Sequence, residues 1–248
     1  MRFILLPIML VTLFTQMYVF CGEHVVAIGA AVGASTSPYK DHDNDLVLLP
    51  TLNYEGRHAY IQGTSAGIHL LNNDRHQISI GASYSALHFD PDDTDSRPHK
   101  ALDKRKSTVM ADVSYALVTP LGRAKVTVSR DVLGRSDGYT ADASFSVPIT
   151  RNNFTIVPTL GVEWMSEKHA DYYFGISRAE STRSGLRRHE VSSSVSPYIS
   201  LESRYQINER WSAVGGVKVN ALTGKAKDSP MVGRSVTVGG FVGMLFTF

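Results

Sequence analysis

The stretch Ser235-Val236-Thr237-Val238-Gly239-Gly240-Phe241-Val242-Gly243-Met244-Leu245-Phe246-Thr247-Phe248 closes the chain. Val236, Val238, Val242, Met244, Phe246 and Phe248 fall on one parity, and Ser235, Thr237, Gly239, Gly243 and Thr247 on the other. Period two is the signature of a strand, because successive side chains point to opposite faces. One face is bulky and the other small or polar.

The same alternation extends outward from this segment. Tyr139–Ile149 sets Tyr139, Ala141, Ala143, Phe145, Val147 and Ile149 against Thr140, Asp142, Ser144, Ser146 and Pro148. Val191–Ile207 sets Val195, Ile199, Leu201 and Tyr205 against Ser194, Ser196, Glu202, Arg204 and Gln206. Phe154–Trp164, Val109–Leu117, Ile78–Tyr84 and Trp211–Ala221 behave likewise. Such segments exceed the ~5–6 residues of an ordinary soluble strand and match the ~9–11 of a tilted strand crossing a bilayer.

Alternation alone fits a soluble sandwich or a membrane barrel. The connections separate the two. Tight turns fall at 55–57, 72–74, 119–122, 150–153 and 207–209, and long polar loops at 37–45, 90–106, 167–190 and 223–233. Short inner turns with long outer loops characterise outer-membrane barrels. Tyr54, Tyr60, Tyr84, Phe89, Tyr139, Phe154, Trp164, Tyr205, Trp211 and Phe248 lie near strand ends, as interfacial girdles require. Met244, Phe246 and Phe248 resemble the C-terminal signal read by barrel-assembly machinery. The spacing predicts an all-β, antiparallel up-and-down transmembrane barrel with strands near 24–36, 46–54, 58–64, 66–72, 75–89, 107–118, 122–133, 138–149, 154–166, 190–206, 210–222 and 234–248. That makes twelve, or ten if Tyr60–Leu71 forms one strand.

Composition bounds the alternatives. The chain has 248 residues, 43% hydrophobic and 19% charged, with a formal charge of +2. The even balance leaves no basic stripe for nucleic acid. No apolar run past residue 20 reaches the ~18–20 residues of a spanning helix. Residues 1–21 read as a secretory signal peptide, with Arg2 ahead of an apolar core, leaving 22–248 as the barrel domain. Cys21 is the one cysteine, so no intramolecular disulfide exists; it is either acylated as the first mature residue or removed.

Several segments carry a family resemblance. They are Ser37-Pro38-Tyr39, Leu49–Gly56 with Tyr54, Leu102-Asp103-Lys104-Arg105, Tyr172-Tyr173-Phe174-Gly175-Ile176-Ser177, Ser184-Gly185-Leu186 and Asp228-Ser229-Pro230. Together with the aromatic terminus they resemble the MltA-interacting protein/OmpV family of Gram-negative outer-membrane proteins, in order along the mature chain. The run Arg187-Arg188-His189 departs from the family pattern within an outer loop. The resemblance implies residence in the outer membrane, amid lipid and lipopolysaccharide. It also implies a non-enzymatic scaffold whose partners are a murein transglycosylase and a peptidoglycan synthase. A small-solute channel and a surface adhesin are the alternatives.

No cofactor is expected. The acidic runs Asp41–Asp45 and Asp90–Asp95 lack the glycine and glutamate spacing of an EF-hand and read as solvated loops. The segment 99–106 is basic, but with Arg97 its five positive residues meet five aspartates in the same loop, which favours internal ion pairs. Nine histidines form no zincin pair, and no Gly-x-Ser-x-Gly elbow occurs. His69 and His88 lie near strands, but no nucleophile is aligned with them by sequence, so no catalytic residue is expected. Asp112, Lys125, Asp142, Glu163, Glu202, Arg204 and Lys218 fall on the lumen parity, where opposite charges should pair.

Overall fold

The computed structural model describes residues 25–41 and 45–248. The signal-peptide segment, Cys21 and Asp43 of the first acidic run lie outside the described residues.

The strands are β1 (Val25–Ser35), β2 (Asp45–Glu55), β3 (Ala59–Gln62), β4 (Ser65–Asn72), β5 (His76–Ser85), β6 (Thr108–Thr119), β7 (Gly122–Asp131), β8 (Tyr139–Ser146), β9 (Ile149–Arg151), β10 (Phe154–Met165), β11 (Ser194–Gln206), β12 (Trp211–Ala221) and β13 (Val236–Thr247). Each pairs antiparallel with its neighbour. The ring closes because β13 pairs with β1, from Ala27 opposite Thr247 to Ser35 opposite Gly239. Twelve strands form the closed barrel, and β9 stands outside it as a three-residue strand against the foot of β10. Pro148 explains this split, since it has no N–H to give the ladder. The ladder resumes after Val147 N donates to Pro158 O at 3.0 Å.

Tyr60–Leu71 is a hairpin, as the twelve-strand count requires. Gly63, at φ +58, makes its turn, where a side chain would meet the left-handed penalty. The hairpin is short and sits low. β2 pairs with β3 only over Asn53–Glu55, whereas it pairs with β1 along its whole length.

Side chains alternate across the wall as the parity predicts. Val242 is 69% exposed on the outside, and Leu160 and Leu48 are similar. Tyr139, Phe154, Trp164, Tyr205, Trp211 and Phe248 stand outward in the girdles. Phe246 packs edge-on to both Trp211 and Phe248, with centroids 5.2 and 5.0 Å apart. Phe89 and Tyr60 do not belong to the girdles. Phe89 is buried among the outer loops, and Tyr60 stacks on His69 inside the barrel.

The inner face is less uniformly polar than its Ser, Thr and Gly content suggests. Phe241 and Leu245 share the inward parity of Thr237 and Gly239. With Ala27, Ala31, Val47, Leu49 and Val214 they build a buried apolar cluster between β12, β13, β1 and β2. That sector of the lumen is filled, and the polar remainder lies on the opposite side.

Candidate functional site

Two regions carry the chemistry, a cap made by the outer loops and a polar cavity beneath it. The loop residues 36–41, 86–107, 166–193 and 222–235 meet over the outer mouth. They contain the short helices α1 (Arg97–Lys100), α2 (Glu167–Phe174), α3 (Arg178–Ser184) and α4 (Gly224–Lys227). Alternation cannot reveal these, because each is only one or two turns. Four loops contribute Tyr39, Leu87, Phe89, Leu102, Ala170, Tyr173, Phe174, Ile176, Val191, Leu222, Ala226 and Met231 to one buried core. The strand ends shift accordingly: β5 stops at Ser85 and β11 starts at Ser194, which frees Leu87, Phe89 and Val191 to enter the cap.

The loop motifs hold this cap together. Tyr173 Oη donates to Lys106 O at 3.0 Å, and Tyr39 Oη to Tyr173 O at 3.3 Å. Ser229 Oγ donates to Phe174 O at 2.6 Å, and Pro230 O accepts from His99 Nε2 at 3.1 Å. Gly175 follows α2 closely, and an added Cβ there would lie 2.4 Å from Asp171 O. Ser177 and Glu180 form a capping box at the start of α3. Gly185 ends α3 in the left-handed conformation at φ +75, and Ser181 Oγ donates to Leu186 O at 2.7 Å. Ser184-Gly185-Leu186 is thus a helix stop. His189, in the divergent run, bridges Ile176 and meets Lys225 O at 2.7 Å. Asp228 is exposed at the end of α4, and Tyr54 lies far away near the foot of β2.

Ion pairs link loops as well as closing them. Lys104 pairs with Asp90 within its own loop. Arg105 and Asp103 instead reach α3, where they meet Glu180 and Arg183, each at 2.7 Å. Burial would raise the Glu180 carboxyl. Hydrogen bonds from the Asp103 and Ser177 N–H groups, with the Arg105 charge, outweigh that and hold it below its ordinary value. The acidic run 90–95 therefore serves cap folding: Asp90 also accepts from Asp92 N at the start of a short 3-10 turn. Among the described residues, no group of three or more His, Cys, Asp or Glu could hold a metal ion.

His169 joins cap and lumen. It is buried, meets Ser136 Oγ at 3.0 Å through Nδ1, and lies on the wall of the cavity below. Burial pushes its imidazole down to about 4.

The cavity measures about 290 Å³. Of the charges assigned to the lumen by parity, Asp112, Lys125, Asp142, Glu163, Glu202 and Lys218 line it. Arg204 lies lower and donates to Ser212 Oγ at 3.1 Å. Lys218 Nζ donates to Glu163 Oε1 at 2.6 Å and lies 4.0 Å from the centroid of the Tyr198 ring, while Tyr198 Oη donates to Asp142 Oδ2 at 2.9 Å.

The inward Arg123 and the partners of His69 escaped the sequence reading. Arg123 points inward and donates to Gln77. His69 lies between Ser79 Oγ, 2.8 Å from Nδ1, and Glu55 Oε1, 3.0 Å from Nε2. A Ser-His-carboxylate row of this kind prompts a nucleophile assignment. Here Ser79 is 4% exposed and is not part of the cavity wall, and the Glu55 carboxylate also accepts from Gln62 at 2.9 Å. The row is a satisfied polar network across the inner end of the barrel. Only strand register could have disclosed it, since it joins β2, β4 and β5.

The MltA-interacting protein MipA family model matches residues 28–248. The MltA-interacting protein of Escherichia coli (strain K12) is 39% identical over 215 residues, covering 87% of each chain. The putative outer membrane protein YiaT of the same organism is 33% identical, covering 85% of each chain. OmpV of Vibrio cholerae is 24% identical, covering 88% of this chain and 83% of its own. Among solved structures, Vibrio cholerae OmpT aligns with a TM-score of 0.39 at 7% identity, covering 92% of this chain and all of its own. The CymD monoaromatic hydrocarbon channel aligns at 0.42 and 8%, covering 92% and 89%. With a closed barrel of membrane-spanning strands and relatives of this kind, the chain is an outer-membrane protein and belongs to the MltA-interacting protein family.

Proposed function

We propose that this protein is a non-catalytic outer-membrane scaffold, which holds a murein transglycosylase and a peptidoglycan synthase at the inner face of the membrane. The observation that carries this is the cap. Four loops share one core over the outer mouth, and the sector under β1 and β13 is filled by apolar side chains. A barrel sealed in this way favours presentation of surfaces over passage of solutes. The name of the Escherichia coli relative supplies the first partner. The inner turns 56–58, 73–75, 120–121, 152–153 and 207–210 are the parts within a periplasmic partner's reach, and Leu121 stands 79% exposed on one of them.

Crosslinking in intact cells, followed by identification of the attached proteins, tests the scaffold. Recovery of a murein hydrolase or synthase supports it, and attachment of neither overturns it. A channel is the second reading, favoured by the polar cavity. Purified protein in planar bilayers should stay silent, and stepwise conductance would transfer the assignment to a channel.

A further inference from the structure

The capped cavity has an excess of acceptors. Its wall carries four carboxylates, Asp112, Asp142, Glu163 and Glu202, against two ammonium groups, Lys125 and Lys218. Asp142 and Glu163 stand directly opposite each other on β8 and β10. Inward-facing like charges in such a cross-strand pair lie about 5 Å apart at Cβ and repel. The existing hydrogen bonds only partly relieve this, since Tyr198 serves Asp142 while Lys218 and Asn220 serve Glu163.

Three oxygens on this wall have no partner: Asp112 Oδ1, Glu202 Oε2 and Asn220 Oδ1. Glu202 is 1% exposed. A buried carboxylate oxygen without a donor is costly, so the complement of this wall is a group rich in N–H and positive charge. No three of its carboxylates converge as a metal ion would need. They are spread from β6 round to β11, which suits charge at two separated points. About 290 Å³ is the room of roughly ten waters at ~30 Å³ each, enough for a chain of a few carbons.

We propose that the capped lumen is a binding site for a short linear diammonium ion. Its two ammonium ends sit on the unpartnered oxygens of Asp112 and of Glu202, and its methylene chain lies between them. Asp142 and Glu163 add field along the way. The site is independent of the scaffold assignment, which rests on the cap and the inner turns.

The test is titration calorimetry of the full chain, purified from outer membranes in detergent, with 1,4-diaminobutane and with the neutral isostere 1,4-butanediol. The expected result is one-to-one binding of the diamine, no binding of the diol, and at least tenfold weaker diamine binding in Glu202→Gln. Asp112→Asn, on the opposite wall, should weaken binding similarly and serves if Glu202→Gln fails to give a heat-modifiable barrel. Absence of diamine binding, equal binding of the diol, or unchanged affinity in the folded variants would overturn the proposal.

Discussion

The guanidinium of Arg105 donates to Oε1 of Glu180 at 2.7 Å across 75 residues of sequence, with both side chains buried. Arg105 also donates to Gly175 O and Asp103 O, so it fastens the loop before β6 to the turn between α2 and α3. Removing one partner of a buried pair leaves an uncompensated charge, a cost of about 3–5 kcal/mol. Arg105→Ala should therefore open the cap while leaving the barrel intact. Hydrogen exchange should rise in 86–107 and 166–193, with gel migration still shifted by boiling. Unchanged exchange in these loops would show that the pair does not hold them.

Acid should loosen the cap in two stages. His169 has a folded pKa of about 4, below the ordinary 6.5, because burial disfavours its cation. Between those values the unfolded loop takes up a proton that the folded loop refuses. Stability present above pH 6.5 is therefore lost as pH falls toward 4, by roughly 3 kcal/mol at 1.36 kcal/mol per pH step. Glu180 adds a later loss. Its folded pKa lies below the ordinary 4.5, so its contribution is present above that value and declines as pH falls beneath it. His169→Gln should remove the first stage and keep the second, as read by protease cleavage of the loops from pH 7 to 3.

The barrel was legible in the sequence because a lipid-facing wall forces apolar side chains onto one parity, and Val236 to Phe248 display that without help from any other segment. The strand count followed from turn spacing, and even the short β3–β4 hairpin was marked by Gly63. The cap was not legible. Tyr173, Phe174, Gly175 and Ser229 stand out as motifs, but their convergence depends on loops that meet only once the barrel has closed. Short helices such as α2 and α3 carry too few turns for a periodic signal, and capping by Ser177, Glu180 and Gly185 was the one local cue. Phe241 and Leu245 failed differently: they are apolar on the face expected to be small, because one sector of the lumen is packed rather than wet.

Closure of the ring should depend on Gly29. A Cβ there would lie 2.1 Å from Met244 O and 2.7 Å from Leu245 Cδ2, both on the last strand. Backbone oxygen cannot retreat without breaking the β1–β13 ladder, so Gly29→Val should prevent the first and last strands from pairing. The measurement is the fraction of protein in outer membranes that migrates faster without boiling. It should fall severalfold, and a normal fraction would mean that the seam tolerates a side chain.

Adjacent residues on β13 give the sharpest test of which face is packed. Phe241 points inward, 4% exposed, against Val214 and the β1–β2 cluster, whereas Val242 points outward at 69% exposure. Truncating a buried aromatic costs about 3–5 kcal/mol through lost contacts and the cavity left behind. Outside, detergent or lipid replaces the missing methyls, and a truncation there forfeits little. Phe241→Ala should accordingly lower the urea midpoint of the purified barrel strongly, and Val242→Ala only slightly. Were Val242→Ala the more damaging, the inner and outer faces of β13 would be reversed, and every lumen residue assigned by parity with them.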